Sequence, residues 1–141
     1  MFARQQAMTS PDQPAIIMAA SGETVTFGEY EAGCNRVAHL LRDTGLRRGD
    51  HVAVLMENSA RVLEIEGGAE RVGLYYTLVN TYLSADEVAY IVANSQAKVL
   101  FSSAARREAA AAAAARSLRL TRFRRDRTVP MGTPRADATP S

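Results

Sequence analysis

His51-Val52-Ala53-Val54-Leu55-Met56 is almost wholly apolar and rich in valine. Such a run reads as a strand buried on both faces, the pattern of a parallel sheet. Two further runs follow it, Leu74-Tyr75-Tyr76-Thr77-Leu78-Val79 and Ala97-Lys98-Val99-Leu100-Phe101. Between the first two, Asn58 can cap a helix that ends at Gly73. Between the last two, Ser84 and Glu87 form the S/T-x-x-E pattern of a capping box. Val88, Ile91 and Val92 then fall on one helical face. The order strand, helix, strand, helix, strand predicts right-handed βαβ units and an α/β fold with a mainly parallel sheet. Alternation along Tyr75-Tyr76 sends one ring into the core and the other toward a covering helix.

Upstream, Pro14-Ala15-Ile16-Ile17-Met18 and Thr24-Val25-Thr26-Phe27 flank the turn-forming Ser21-Gly22-Glu23 and read as a short hairpin. Thr26 and Glu29 make a second capping box, and Tyr30, Cys34, Val37 and Leu41 follow on one helical face. Gly45 stands where a helix C-terminal glycine belongs. Residues 1–10 show no periodicity and are expected to form a flexible arm.

Downstream the character changes. Residues 1–103 carry eight basic and twelve acidic groups, net −4, whereas residues 104–141 carry nine arginines and three acids, net +6. The alanine run Ala109–Ala115 favours a helix over 104–116, although it offers no large apolar stripe to dock. Residues 117–141 mix Arg, Pro, Thr and Ala without periodicity and are expected to be a disordered basic tail. The expected organisation is therefore an arm at 1–10, a folded unit at 11–103, an Ala-rich helix at 104–116 and a tail at 117–141.

The chain has 141 residues, 47% of them hydrophobic, no Trp and a single cysteine, Cys34. That is enough for one core and excludes an internal disulfide. No stretch approaches the length of apolar sequence that spans a bilayer, and the N-terminus lacks a signal-peptide core, so a cytoplasmic protein is expected. The tail arginines are not interleaved with aromatics, and no nucleic-acid partner is expected.

No residue stands out as catalytic, cofactor-binding or metal-ligating. Gly67-Gly68 lies within a helical pattern with no Lys-Ser/Thr after it, and reads as two residues that weaken the helix by about 1 kcal/mol each relative to Ala. His39 and His51 sit near no ligand cluster, Cys34 reads as a small core residue, and Glu64, Glu66 and Glu70 read as a solvated face.

Six segments, in order over residues 11–103, resemble the opening of AMP-binding, adenylate-forming enzymes, above all fatty-acid and related acyl-CoA synthetases. They are Pro11-Asp12-Gln13-Pro14-Ala15-Ile16, Thr26-Phe27-Gly28-Glu29-Tyr30, Asn35-Arg36-Val37-Ala38-His39-Leu40-Leu41, Gly45-Leu46-Arg47-Arg48-Gly49-Asp50-His51-Val52-Ala53-Val54, Leu74–Asn80, and Tyr90-Ile91 through Ala97–Leu100. The resemblance implies a parent reaction in which a carboxylic acid, favoured to be a fatty acid, attacks ATP to give an acyl-adenylate that coenzyme A then displaces, with magnesium assisting. It also implies a mostly scaffolding role for this region. Asn80 follows the carboxyl end of a strand, where α/β sheets gather ligands.

There are departures from the pattern. Leu78 replaces the usual proline, and Glu66-Gly67-Gly68 replaces apolar residues and alanine, which is expected to loosen packing on the sheet. The family's T-S-G-T-T-G-x-P-K-G phosphate loop, its ribose-binding acid and its lid lysine have no counterpart in these 141 residues. The expectation is a truncated acyl-CoA synthetase, inactive alone and binding no cofactor by itself, with self-association through exposed sheet surface. The alternative is a small interaction module using its sheet edge or Arg-rich tail. Arginine outnumbers lysine sixteen to one, as in GC-rich coding DNA, so residues 117–141 also read as out-of-frame translation.

Overall fold

The computed structural model describes residues 2–126. The chain opens with α1 (Phe2–Thr9), followed by an antiparallel hairpin of β1 (Pro14–Ile17) and β2 (Thr24–Thr26). Then come α2 (Phe27–Asp43), β3 (His51–Leu55), α3 (Ala60–Arg71), β4 (Tyr75–Leu78), α4 (Ala85–Asn94) and β5 (Ala97–Ser102). A 3-10 turn at Ala104–Arg106 leads into α5 (Arg107–Asp126). β3 lies between β4 and β5, parallel to both, as the runs of buried aliphatics predict.

Both capping boxes form in full. Thr26 Oγ1 accepts from the Glu29 N–H at 3.3 Å, and a Glu29 carboxylate oxygen accepts from the Thr26 N–H at 2.9 Å. Ser84 and Glu87 repeat the exchange at 3.4 and 2.8 Å. Gly45 and Gly73 take φ of 78° and 72°, the left-handed conformation that ends α2 and α3. The cap of α3 is Ser59 rather than Asn58, and its side chain makes no capping bond.

The direction of the chain sets the layers. The step from β3 through α3 to β4 runs one way across the sheet; the step from β4 through α4 to β5 returns past β3. Right-handed crossovers therefore place α3 and α4 on opposite faces. On one face Leu41 of α2 and Ala69 of α3 close over Val52 and Leu74, with Tyr76, Val99 and Phe101 at the margin. On the other, Val88, Ala89 and Val92 of α4 close over Ala53, Leu55 and Val79.

Several expectations are corrected. The arm at 1–10 is helical and packs on α2; its Arg, Gln, Ala and Met residues favour helix without needing an apolar stripe of their own. The alanine helix docks after all, since Ala110 and Ala113 are buried against α4 over the Leu55 cluster. Small side chains suit a close helix pair where large ones would hold it off. The helix also continues past residue 116 to Asp126, so the disordered tail does not begin at 117. Arg and Leu sustain it, and the first proline comes only at Pro130. Residues 127–141 lie outside the described residues.

The Gly67-Gly68 expectation is also corrected. These glycines face α2, not the sheet. A Cβ at Gly67 would lie 2.6 Å from Cys34 Sγ, and one at Gly68 would lie 2.6 Å from Val37 Cβ and 3.0 Å from the Cys34 carbonyl oxygen. Opposite them, a Cβ on Gly33 would collide with the Glu64 carboxylate. Three absent methyls let the helices touch, so the glycines tighten this packing. Glu64 is accordingly buried rather than solvated, its carboxylate held by Arg61 at 2.6 Å. Burial, then the neighbouring Glu70, pushes the Glu66 carboxyl up.

A polar clamp closes the same crossing. Arg71 of α3 donates to Glu31 at 2.8 Å and to Asn35 at 2.6 Å, both on α2. Its hydrogen bond holds the Glu31 carboxyl below its ordinary value, against the opposing effect of burial. A carboxyl lowered on folding stabilises above its unfolded pKa, and that stability is lost as pH falls through the folded value. Glu31→Gln is therefore expected to be less stable than the parent at neutral pH, with the difference shrinking below about pH 4.3, the unperturbed glutamate value. Urea titrations at stepped pH read this directly.

Candidate functional site

The crossovers leave β3 and β4 by opposite faces, so their carboxyl ends part around a crevice. In open α/β sheets this divergence is where ligands collect. Here it is a cleft of about 440 Å³. Val54, Val62, Leu78 and Val79 give it an apolar floor, while Glu57 and Asn58 after β3, and Asn80, Thr81 and Tyr82 after β4, form its polar rim. Arg106 reaches in from the turn after β5, its Nε 2.7 Å from Glu57 Oε1.

The rim is locally braced. Asn80 Oδ1 accepts from the Tyr82 N–H at 2.9 Å, folding the loop on itself. The Glu57 carboxyl is held below its ordinary value by the nearby Ser103 hydroxyl first, then by its own N–H and by Arg106. Ser103 Oγ is itself buried. The Glu57–Arg106 pair thus ties the chain after β3 to the chain after β5, while the loop after β4 is braced within itself.

Asn80 lies where its place after a strand predicts. Glu57 and Arg106 were not anticipated, although each follows the carboxyl end of a parallel strand by a few residues, and that position was the signal. Of the residues considered and set aside, His39 is exposed and His51 rests against the Tyr75 ring with centroids 4.9 Å apart. Cys34 is buried, and burial pushes its thiol up. Among the described residues no group of His, Cys, Asp and Glu could hold a metal ion, and no helix is long and apolar enough to cross a membrane.

The two loops of the cleft, residues 56–59 and 79–84, contain no glycine, and its arginine, Arg106, is paired with Glu57.

Comparison with known proteins agrees with the fold and the order of segments. The AMP-binding enzyme family matches residues 3–137. The long-chain-fatty-acid–CoA ligase FadD13 of Mycobacterium tuberculosis is 35% identical over 101 residues, which are 72% of this chain and 20% of that protein. An uncharacterized protein of the same organism, Rv1549, is 32% identical over 97 residues, covering 69% of this chain and 55% of that one. Among solved structures, the N-terminal domain of FACL13 from Mycobacterium tuberculosis superposes with a TM-score of 0.70 at 33% identity, over 76% of this chain and 27% of that one. The chain thus spans about one-fifth of the acyl-CoA ligase it matches, at the N-terminal end, and it belongs to the AMP-binding enzyme family.

Proposed function

We propose that this chain is the N-terminal scaffold of an acid–thiol ligase whose full reaction activates a carboxylic acid with ATP and passes it to coenzyme A. A fatty acid is the favoured substrate class, on the likeness to FadD13. The observation that carries this reading is the match of 101 residues to one-fifth of that ligase. In this reading the phosphate-binding residues, magnesium and coenzyme A belong to the remaining part of the fold. Residues 54–58 and 79–82 hold the strand ends in place.

The 141-residue polypeptide is then expected to show no adenylation. Acid-dependent exchange of pyrophosphate into ATP stays at background across fatty acids of several lengths. A signal proportional to added protein overturns the scaffold reading.

A second reading has one observation in its favour. Rv1549 is a much shorter relative than the ligases, since 97 matched residues make up 55% of it. A short non-catalytic binding module is therefore an alternative. The origin of residues 117–141 bears on the choice. Their composition supports out-of-frame translation, whereas the family match through residue 137 supports a native tail. Reading the downstream DNA in all three frames decides it: a family phosphate loop in another frame establishes the slip and the ligase parent together.

A further inference from the structure

Among the described residues β4 is an edge strand, its outer side open to pairing. The N–H groups of Tyr75 and Val79 point inward, donating to the carbonyls of Asp50 and Val54 at 2.9 Å each. Alternation then turns the N–H and C=O groups of Tyr76 and Leu78 outward, while the Leu74 N–H is taken by the Ala69 carbonyl at 2.9 Å. The run Leu74–Val79 contains no charge and no proline, the usual devices that blunt an edge. The opposite edge, β5, does carry one: Lys98, held to Asp50 at 2.6 Å. Two of the large side chains of β4 stand in solvent: Tyr75 is 64% exposed and Leu78 54%, whereas Tyr76 packs at the margin of the core.

We propose that this edge is a self-association surface, on which a second copy of the chain adds its own β4 antiparallel, with Thr77 on the two-fold axis. An axis perpendicular to the sheet keeps each face of one copy continuous with the same face of the other. Opposed residues must then share a face, so their numbers differ by an even count. Centring on Thr77 sets Tyr76 against Leu78 and Tyr75 against Val79. It also makes Tyr76 and Leu78, whose polar groups point outward, the hydrogen-bonded pairs. The product is a six-stranded sheet.

The exposed area sets the strength. One tyrosine and one leucine offer on the order of 250 Å² per copy, about a third of the roughly 800 Å² of a standard interface. The association is therefore weak and concentration-dependent.

The full chain is tested by sedimentation velocity. Its weight-average mass is expected to rise from one chain toward two between about 5 and about 500 µM, the range of a dissociation constant in the tens of micromolar. Thr77→Lys places two ammonium groups opposite each other across the axis and should hold the chain monomeric. Tyr75→Lys, at an exposed position, should weaken association even if Thr77→Lys proves unfolded by circular dichroism. Tyr90→Lys, on the exposed face of α4, should leave it intact. Under copper–phenanthroline, Thr77→Cys should form a covalent dimer, because opposed Cα atoms in a non-hydrogen-bonded pair lie about 4.5 Å apart. The parent, with Cys34 buried, should not. A monomer at every concentration overturns the proposal and leaves the edge to a different chain or segment. It is likewise overturned by association that Tyr90→Lys abolishes and Tyr75→Lys does not, or by Thr77→Cys failing to cross-link.

Discussion

Replacing Gly68 by valine is expected to destabilise the fold by about 1–3 kcal/mol, the range of a core forced to accept atoms it has no room for. The first added carbon already lies 2.6 Å from Val37 Cβ, and that atom is fixed by its own helix. Either α3 lifts from α2 or the strands beneath must follow. Helix propensity alone argues the other way: Gly→Ala in a helix interior gains about 1 kcal/mol. Gly68→Ala therefore decides by sign. A fall in the urea midpoint at unchanged slope supports the close crossing; a rise refutes it. Gly67→Ala should behave alike, because its new carbon meets Cys34 Sγ at 2.6 Å and the Tyr30 hydroxyl at 2.8 Å.

Ending the chain at Ser103 should be at least as damaging. Charge and composition place a boundary there, yet Ala110 and Ala113 are part of the same buried cluster as Leu55, Val79 and Val88. Without α5, apolar surface on α4 and β5 returns to water. If this equals two aliphatic side chains at about 1.5–3 kcal/mol each, the loss is roughly 3–6 kcal/mol. That rivals the whole stability of many domains. The chain ending at Ser103 is expected to lack a cooperative urea transition, whereas one ending at Asp126 should keep it. Equal midpoints for the two would make α5 an ornament.

The legible parts of this protein were those written in local chemistry. Thr26 with Glu29, and Ser84 with Glu87, announce helix starts because the bonds they make span three residues. Val52 to Leu55 announces a central parallel strand because both its faces must be apolar. The illegible parts depend on what lies across from a residue. Gly67 and Gly68 look like faults in a helix until Gly33 and Val37 are set against them. Tyr75 and Tyr76 read as one core ring and one helix-covered ring until β4 proves to be at the end of the sheet, with Tyr75 exposed. The alanine run looks undockable until a helix of matching closeness, α4, is laid beside it. The cleft was half legible: Asn80 could be placed from its position after a strand, whereas Glu57 and Arg106, 49 residues apart, meet only once the sheet is formed.

Cys34 gives the molecule a reporter of its own. It is the one thiol in the chain, it is fully covered, and the Gly67 face of α3 lies directly on it. A thiol reagent can reach it only when the two helices part. The rate of alkylation under native conditions, divided by that of an unfolded chain, is then the equilibrium constant for that opening. Without any introduced label, the same tube that measures global unfolding in urea also measures, in its absence, how often this single helix crossing breathes.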